Sequence, residues 1–374
     1  MVSSPSATRR EWLKTAAAGF AGLAFARNLA VTPVQAQPAP TRKIEAARLS
    51  GNENPLGPSP LALKAMRDNL ERAHYYSFAE EQELRKKIAA LEGVPIDHIV
   101  MGVGSGEILE IYGVYFGRQK GEVVTATPGY LQMVSAMERM GSKVVGVPLN
   151  DKLEHDLDAM AAKIGPNTKC VYICNPNNPS GTIVNAAKLR TFCMEISPRC
   201  PVFIDEAYLQ CSDDFAGNTM AGLVRDGHNV AVARTFSKLY GLAGMRVGYG
   251  VMQPEMAKSI RDYSTGSLNM LGILAATASL DDKAYAIEMR AKIQAERRAL
   301  VDVVKSLGRR YAEPQGNFVF FHTGMPIQIF QEKMRAENVA VARPFPPLLD
   351  WARISVGTPE EMAMCHAALK KVLG

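Results

Sequence analysis

Cys170-Val171-Tyr172-Ile173-Cys174-Asn175-Pro176-Asn177-Asn178-Pro179-Ser180-Gly181 is an apolar run that ends at a rigid polar turn. Five apolar residues without polar alternation read as a strand buried on both faces. A helical period follows over Ala186–Ile196, and a second apolar strand over Val202–Asp205. That order is one strand–helix–strand unit, which builds a parallel sheet. Working outward, Ile99–Val103, Glu122–Thr125, Lys143–Val147, Val230–Ala233 and Val247–Val251 also read as strands. Helical periods over Glu107–Phe116, Leu131–Met140 and Leu157–Ile164 separate them. The predicted class is α/β, with a large, mostly parallel sheet domain over 77–275. After Leu268 the texture turns to long helical segments rich in Ala, Glu, Lys and Arg, then to a short α+β pattern. Residues 276–374 are therefore assigned to a smaller α+β domain, joined by an N-terminal arm over 37–76.

Ligands of such sheets bind at the carboxyl ends of the strands, so those ends carry the chemistry. Gly102-Val103-Gly104-Ser105-Gly106-Glu107 closes a strand and opens a helix, a geometry in which backbone N–H groups meet an anion. Taken alone it also fits a dinucleotide fold, with Glu122 about 20 residues on as a ribose-binding acid. Thr127-Pro128-Gly129-Tyr130 brings an aromatic to the next strand end. Phe203-Ile204-Asp205-Glu206-Ala207-Tyr208 brings an acid, and Arg234-Thr235-Phe236-Ser237-Lys238 a lysine ahead of a Gly-rich stretch ending at Arg246. Tyr130 alone would be packing, Asp205 alone a helix cap, and Lys238 alone a solvated cation. Together, at successive strand ends, they supply what pyridoxal phosphate requires. A lysine forms the imine, an acid faces the pyridinium nitrogen, and an aromatic covers the ring. Hydroxyls, backbone amides and an arginine hold the phosphate. A nicotinamide dehydrogenase would leave Asn178, Asp205 and Lys238 without a task.

With these motifs the chain resembles the fold-type I pyridoxal-phosphate aminotransferases of class I/II, and within them the histidinol-phosphate aminotransferase branch. The resemblance spans nearly all of the chain after the leader. It rests on Asn-Pro-Asn-Asn-Pro-Ser-Gly at 175–181 and on Thr-Phe-Ser-Lys at 235–238, followed by Gly241-Leu242-Ala243-Gly244-Met245-Arg246-Val247-Gly248-Tyr249. It implies that Lys238 carries the cofactor and that Asp205 meets the ring nitrogen. It places Asn178 and Tyr208 near the ring 3′-oxygen, and Tyr130 on the ring. Ser105, Gly106, Glu107, Thr235, Ser237 and Arg246 would surround the phosphate. Tyr76 would reach the cofactor phosphate of a partner subunit, which implies a homodimer with shared sites. Arg353, in Trp351-Ala352-Arg353-Ile354-Ser355, would bind the substrate carboxylate, for which a planar guanidinium fork is suited. Asn54, in Gly51-Asn52-Glu53-Asn54-Pro55, would belong to the substrate loop. The implied reaction moves an amino group from a small-molecule donor to a 2-oxo acid by a ping-pong route. A lyase or oxidase on this scaffold would use the same Lys238, Asp205 and Arg353. A non-catalytic binding protein would hold the cofactor without reacting.

The first segment reads as an address. Thr8-Arg9-Arg10-Glu11-Trp12-Leu13-Lys14 precedes a mildly apolar run from Thr15 to Ala26, and Val34-Gln35-Ala36 offers small residues for cleavage. This resembles a twin-arginine signal peptide over 1–36, implying contact with the twin-arginine export machinery and a periplasmic enzyme exported already folded. The apolar run is short of the roughly 20 residues that span a bilayer, so no stable membrane span is expected in the mature chain. The chain has 374 residues, 47% of them hydrophobic, 21% charged, with a net charge of +6. Those values exclude a disordered tail, a collagen-like fibre and a disulfide scaffold. Arg9, Arg10, Lys14 and Arg27 against Glu11 put half of the charge in the leader. The remainder has no basic run, so no nucleic-acid partner is expected. The six cysteines form no C-x-x-C pair and read as buried thiols.

Two features depart from the histidinol-phosphate branch. Leu56 stands where that branch usually carries Tyr, and Pro346-Pro347-Leu348-Leu349-Asp350 is a short segment where it lines its substrate pocket. With an exported location, these point to a free amino acid, or the amino-acid unit of an exported metabolite, as the donor.

Overall fold

The computed structural model describes residues 45–264 and 266–374. The leader and its cleavage site lie outside the described residues.

Seven strands form one sheet: β2 (Ile99–Gly102), β3 (Glu122–Thr127), β4 (Lys143–Pro148), β5 (Thr168–Cys174), β6 (Val202–Asp205), β7 (Val230–Thr235) and β8 (Gly248–Val251), in the order β2-β8-β7-β6-β5-β3-β4. Neighbours from β4 to β7 are parallel. β8 alone runs antiparallel to both of its neighbours. The reason lies in the connection. A parallel crossover is usually made by a helix. Between β7 and β8 the chain spends 236–247 on the lysine loop and one 3-10 turn, with no crossover helix, so it doubles straight back.

Burial alternates with side-chain parity. Val171 and Ile173 of β5, with Val202 and Ile204 of β6, pack into the core on one face. Cys170, Tyr172 and Cys174, with Phe203, pack into the core on the other. All six cysteines are buried and free, as the sequence suggests.

The arm contributes β1 (Ala47–Leu49), which pairs in parallel with β10 (Val339–Val341). β9 (Phe318–His322) pairs with β11 (Trp351–Ser355) in antiparallel register, with Arg353 opposite Phe320. The helix Lys283–Ser306 and the C-terminal helix Pro359–Leu373 pack on these strands through Leu300, Val304, Cys365 and Leu369. A reciprocal capping box starts that last helix, with Thr358 and Glu361 each accepting from the other's backbone N–H. The arm thus pairs with a C-terminal strand. Among the described residues no helix is long and apolar enough to cross a membrane.

Candidate active site

The carboxyl ends of β2, β3, β6 and β7 converge on one cavity of about 370 Å³. Ser105, Gly106, Glu107, Tyr130, Asp205, Tyr208, Thr235, Ser237, Lys238 and Arg246 all line it. The strand-end reading therefore brought together residues separated by more than a hundred positions.

One end of the cavity is built for an anion. Helix Ser105–Gly117 starts there with Gly104 as its cap, which has φ 76° and no side chain to satisfy the first N–H groups. A Cβ at Gly104 would strike the Arg246 guanidinium, and one at Gly106 would lie 2.8 Å from Gln132 Oε1. Unsatisfied N–H groups at a helix start favour negative charge. The Glu107 carboxylate does not compete with that charge. It turns back to accept from Val103 N at 2.6 Å, which leaves the residue's backbone to the anion end. Opposite, Thr235 donates to Ser237 Oγ at 2.9 Å, and Arg246 donates to Ala243 O at 2.8 Å and Val103 O at 3.3 Å. Arg246 is held at φ 55°, a left-handed conformation that costs a non-glycine residue energy and that clusters at functional sites.

The other end holds the acid and the lysine. Asp205 is 1% exposed at the end of β6. Burial raises its carboxyl to about 6, against the Ala207 N–H, the Tyr172 hydroxyl and the charge of Lys238. Lys238 Nζ donates to Asn52 O at 3.0 Å and lies 5.2 Å from the centre of the Tyr208 ring. Desolvation, helped by the Arg353 cation, lowers its ammonium to about 8. The Tyr208 hydroxyl receives N–H groups from Asn178 at 3.2 Å and Asn52 at 3.3 Å. Arg353 reaches in from β11, where Nη1 donates to Asn178 Oδ1 at 2.5 Å and Nη2 to Ser50 O at 2.8 Å. Burial lowers this guanidinium to about 10, so it stays cationic at neutral pH. Tyr130 is fixed at the cavity wall by donating to Gln132 Oε1 at 2.9 Å, and Gln132 in turn donates to Gly106 O at 2.9 Å.

Two expected site residues lie elsewhere. The Asn54 side chain donates to Leu239 O at 2.8 Å and accepts from Leu56 N at 3.1 Å. It clamps the segment carrying Lys238, and its neighbour Asn52, also left-handed at φ 53°, is the one that meets Tyr208. Tyr76 is 80% exposed and stacked on Phe78, away from this chain's own cavity. Leu56 packs against the small apolar cluster of Cys211, Leu239, Met289 and Ile293 and does not line the cavity. In the segment after Arg343, the Phe345 ring lies 5.0 Å from the Arg353 guanidinium. Sequence reasoning missed Asn52, Gln132 and Tyr172. It also missed Glu53, whose acid lines the cavity. Two adjacent polar residues, Asn52 and Glu53, in a loop otherwise rich in Gly and Pro were the available signal.

These features fit pyridoxal phosphate on structural grounds. The bare helix start matches a phosphate, the buried Asp205 a cationic ring nitrogen, and the easily deprotonated Lys238 an aldehyde. The class I and II aminotransferase family model matches residues 45–369. A histidinol-phosphate aminotransferase of Anaeromyxobacter sp. is 37% identical, covering 88% of this chain and 91% of that protein. One from Symbiobacterium thermophilum is 36% identical, covering 87% and 90%. The crystal structure of histidinol-phosphate aminotransferase from Sinorhizobium meliloti in complex with pyridoxal-5'-phosphate superposes with TM-score 0.81 at 29% identity, covering 88% of this chain and 90% of that one. The chain therefore belongs to the class I and II aminotransferases and is a pyridoxal-phosphate-dependent transaminase.

Proposed function

We propose that the amino donor is a 2-amino acid, or the amino-acid unit of an exported metabolite, and that the acceptor is a 2-oxo acid. The observation that carries this reading is Arg353. Among the described residues, two of its five N–H groups meet protein oxygen, at Asn178 and Ser50, and the buried cation is positioned by Phe318 and Phe345. The remaining donors suit a carboxylate, which would set the donor's Cα beside Lys238. Pyridoxal phosphate supplies the aldehyde that takes the amino group and the ring that accepts electrons. Lys238 Nζ, as the neutral amine, would take the proton from Cα and pass it to the cofactor carbon that carries the amino group, and would run that transfer in reverse during the second half-reaction. Asp205, Asn178 and Tyr208 would hold the ring by its nitrogen and its 3′-oxygen. Ser105, Gly106, Glu107, Thr235, Ser237 and Arg246 would hold the phosphate.

A second reading, histidinol phosphate as donor, is favoured by one further observation. The Arg343 guanidinium lies 4.5 Å from the same Phe345 ring, so two cations flank the substrate end, a pairing that suits a phosphate. Mixing the purified enzyme with single donors and following the absorbance of lysine-bound cofactor separates the two. Several 2-amino acids should discharge that band faster than histidinol phosphate, and a 2-oxo acid should restore it. Equal or faster discharge by histidinol phosphate refutes the amino-acid reading, and failure of 2-oxo acids to restore the band favours a lyase or oxidase outcome.

The enzyme is further proposed to be a homodimer, exported folded by the twin-arginine route and cleaved after Ala36. Tyr75, Tyr76 and Phe78 support the dimer, since three exposed aromatic rings in four positions form a patch suited to a partner subunit. Tyr76 would then complete the partner's anion end. Native mass spectrometry of the periplasmic protein should show two chains, each beginning at Gln37. A monomer, or a chain retaining Arg9 and Arg10, contradicts this assembly and route.

A further inference from the structure

We propose that Tyr172 is a positioning residue that keeps Asp205 ionised and aimed at the cofactor's ring nitrogen. The inference deepens the reading of Asp205 as the partner of that nitrogen.

Tyr172 and Cys174 point to the same face of β5, and β5 pairs with β6 so that Tyr172 stands opposite Phe203 and Cys174 opposite Asp205. From that diagonal position the Tyr172 hydroxyl reaches Asp205 Oδ2 and donates to it at 3.1 Å. Oδ1 accepts the Ala207 N–H at 3.1 Å, so each carboxylate oxygen has one fixed donor. Cys174 is no substitute. Its sulfur lies 3.9 Å from Oδ2 but 3.3 Å from Pro176 O, and one thiol proton serves the closer acceptor. Tyr172 is 1% exposed, and the hydroxyl's recorded hydrogen bond is to Asp205. Burial pushes the Tyr172 phenol far up, so it keeps its proton and always donates.

The need for such a donor follows from the burial of Asp205. A carboxylate in a dry site tends to take a proton, and a neutral acid cannot hold a ring nitrogen in its protonated form. The groups around it are of mixed effect. Lys238 favours the charged acid, whereas Glu206 and desolvation oppose it. Tyr130, Tyr208 and Cys174 are neutral at working pH and add no compensating charge. A hydrogen bond to a buried charge is worth more than one between neutral groups. Removing the phenolic oxygen while keeping the ring therefore isolates this contribution.

Tyr172→Phe tests it in the holoenzyme. The acid limb of the kcat/KM profile should move up by about one pH unit, and kcat should fall roughly tenfold with KM for the donor little changed. Cofactor retention, measured by dialysis and absorbance, should weaken by about tenfold without any turnover being required. Tyr112→Phe is the control, since it removes a hydroxyl from the same aromatic cluster around Phe203, and its profile and cofactor retention should stay as in the wild type. An unmoved acid limb and unchanged cofactor retention in Tyr172→Phe overturn the proposal, as does an equal shift in both variants. A lower melting temperature with an unmoved limb likewise assigns Tyr172 to packing alone. Wild-type protein that turns over no donor would refute the assigned reaction, while cofactor retention would still decide Tyr172.

Discussion

Lys238→Ala should abolish turnover and the absorbance of lysine-bound cofactor together. The side chain is asked to do two jobs. In the proposed reaction it would be the amine that captures the aldehyde and the base at the donor's Cα. Proton transfer alone accounts for roughly 10²–10⁴-fold of rate in enzymes of this kind, and the lost attachment adds to that. The protein makes the neutral amine accessible by burying it beside Arg353, which lowers it to about 8 from an ordinary value of 10.5. Capture of pyridoxal phosphate by the apoprotein should therefore accelerate as pH rises and reach half its limit near pH 8. The same shift has a stability sign. Below pH 8 the lysine is protonated in both states and the fold bears the cost of a buried charge. Between about 8 and 10.5 only the unfolded chain stays protonated, so the wild-type apoprotein gains stability as pH rises through that window. Lys238→Ala apoprotein should lack that rise. A variant retaining activity, or a capture midpoint near 10.5, would remove Lys238 from its role.

How far these features were legible depends on what carried them. β5, β6 and the helix Ala186–Ile196 were legible because burial on both faces writes an unbroken apolar run, and a helix writes its own period. The strand-end residues were legible because each chemistry-bearing residue directly follows such a run. The reversed direction of β8 was not, because Val247–Val251 has the same composition whichever way it runs. Asn52 was passed over for Asn54 because both are amides in one loop, and only the left-handed turn at Asn52 decides which reaches Tyr208. Tyr172 read as one more apolar residue in a strand. Its hydroxyl acquires meaning only from a register with β6 that no local pattern encodes. Arg234 opens the lysine motif, and a charged residue at the end of Val-Ala-Val-Ala is itself a signal that something buried must pair with it.

What pairs with it gives the largest stability effect to be expected of a single substitution. Arg234 Nε bonds to Glu206 at 2.9 Å, Nη1 bonds to Glu92, and Nη2 donates to Thr219 Oγ1 at 2.5 Å. The three charged side chains are at most 5% exposed. Tyr249 donates to Glu92 Oε1 at 2.7 Å and Met220 N to Glu206 Oε1 at 2.7 Å, so each carboxylate has a further donor beside Arg234. Replacing the whole set by apolar residues could be neutral, because desolvation offsets much of the attraction. Removing the cation alone is different, since it leaves two buried carboxylates facing each other. Arg234→Ala should therefore cost about 3–5 kcal/mol by denaturant unfolding. Burial already raises Glu206, with Arg234 foremost among the groups holding it down. Without Arg234 it must rise further, so the variant's deficit should shrink as pH falls and the acid takes up a proton. A loss below about 1 kcal/mol, or one independent of pH, would show that the network is not held by its charge. The position of this network explains why the fold tolerates it. Glu206 directly follows Asp205 and Arg234 directly precedes Thr235, so the ion pair clamps the ends of β6 and β7 beside two residues that line the cavity.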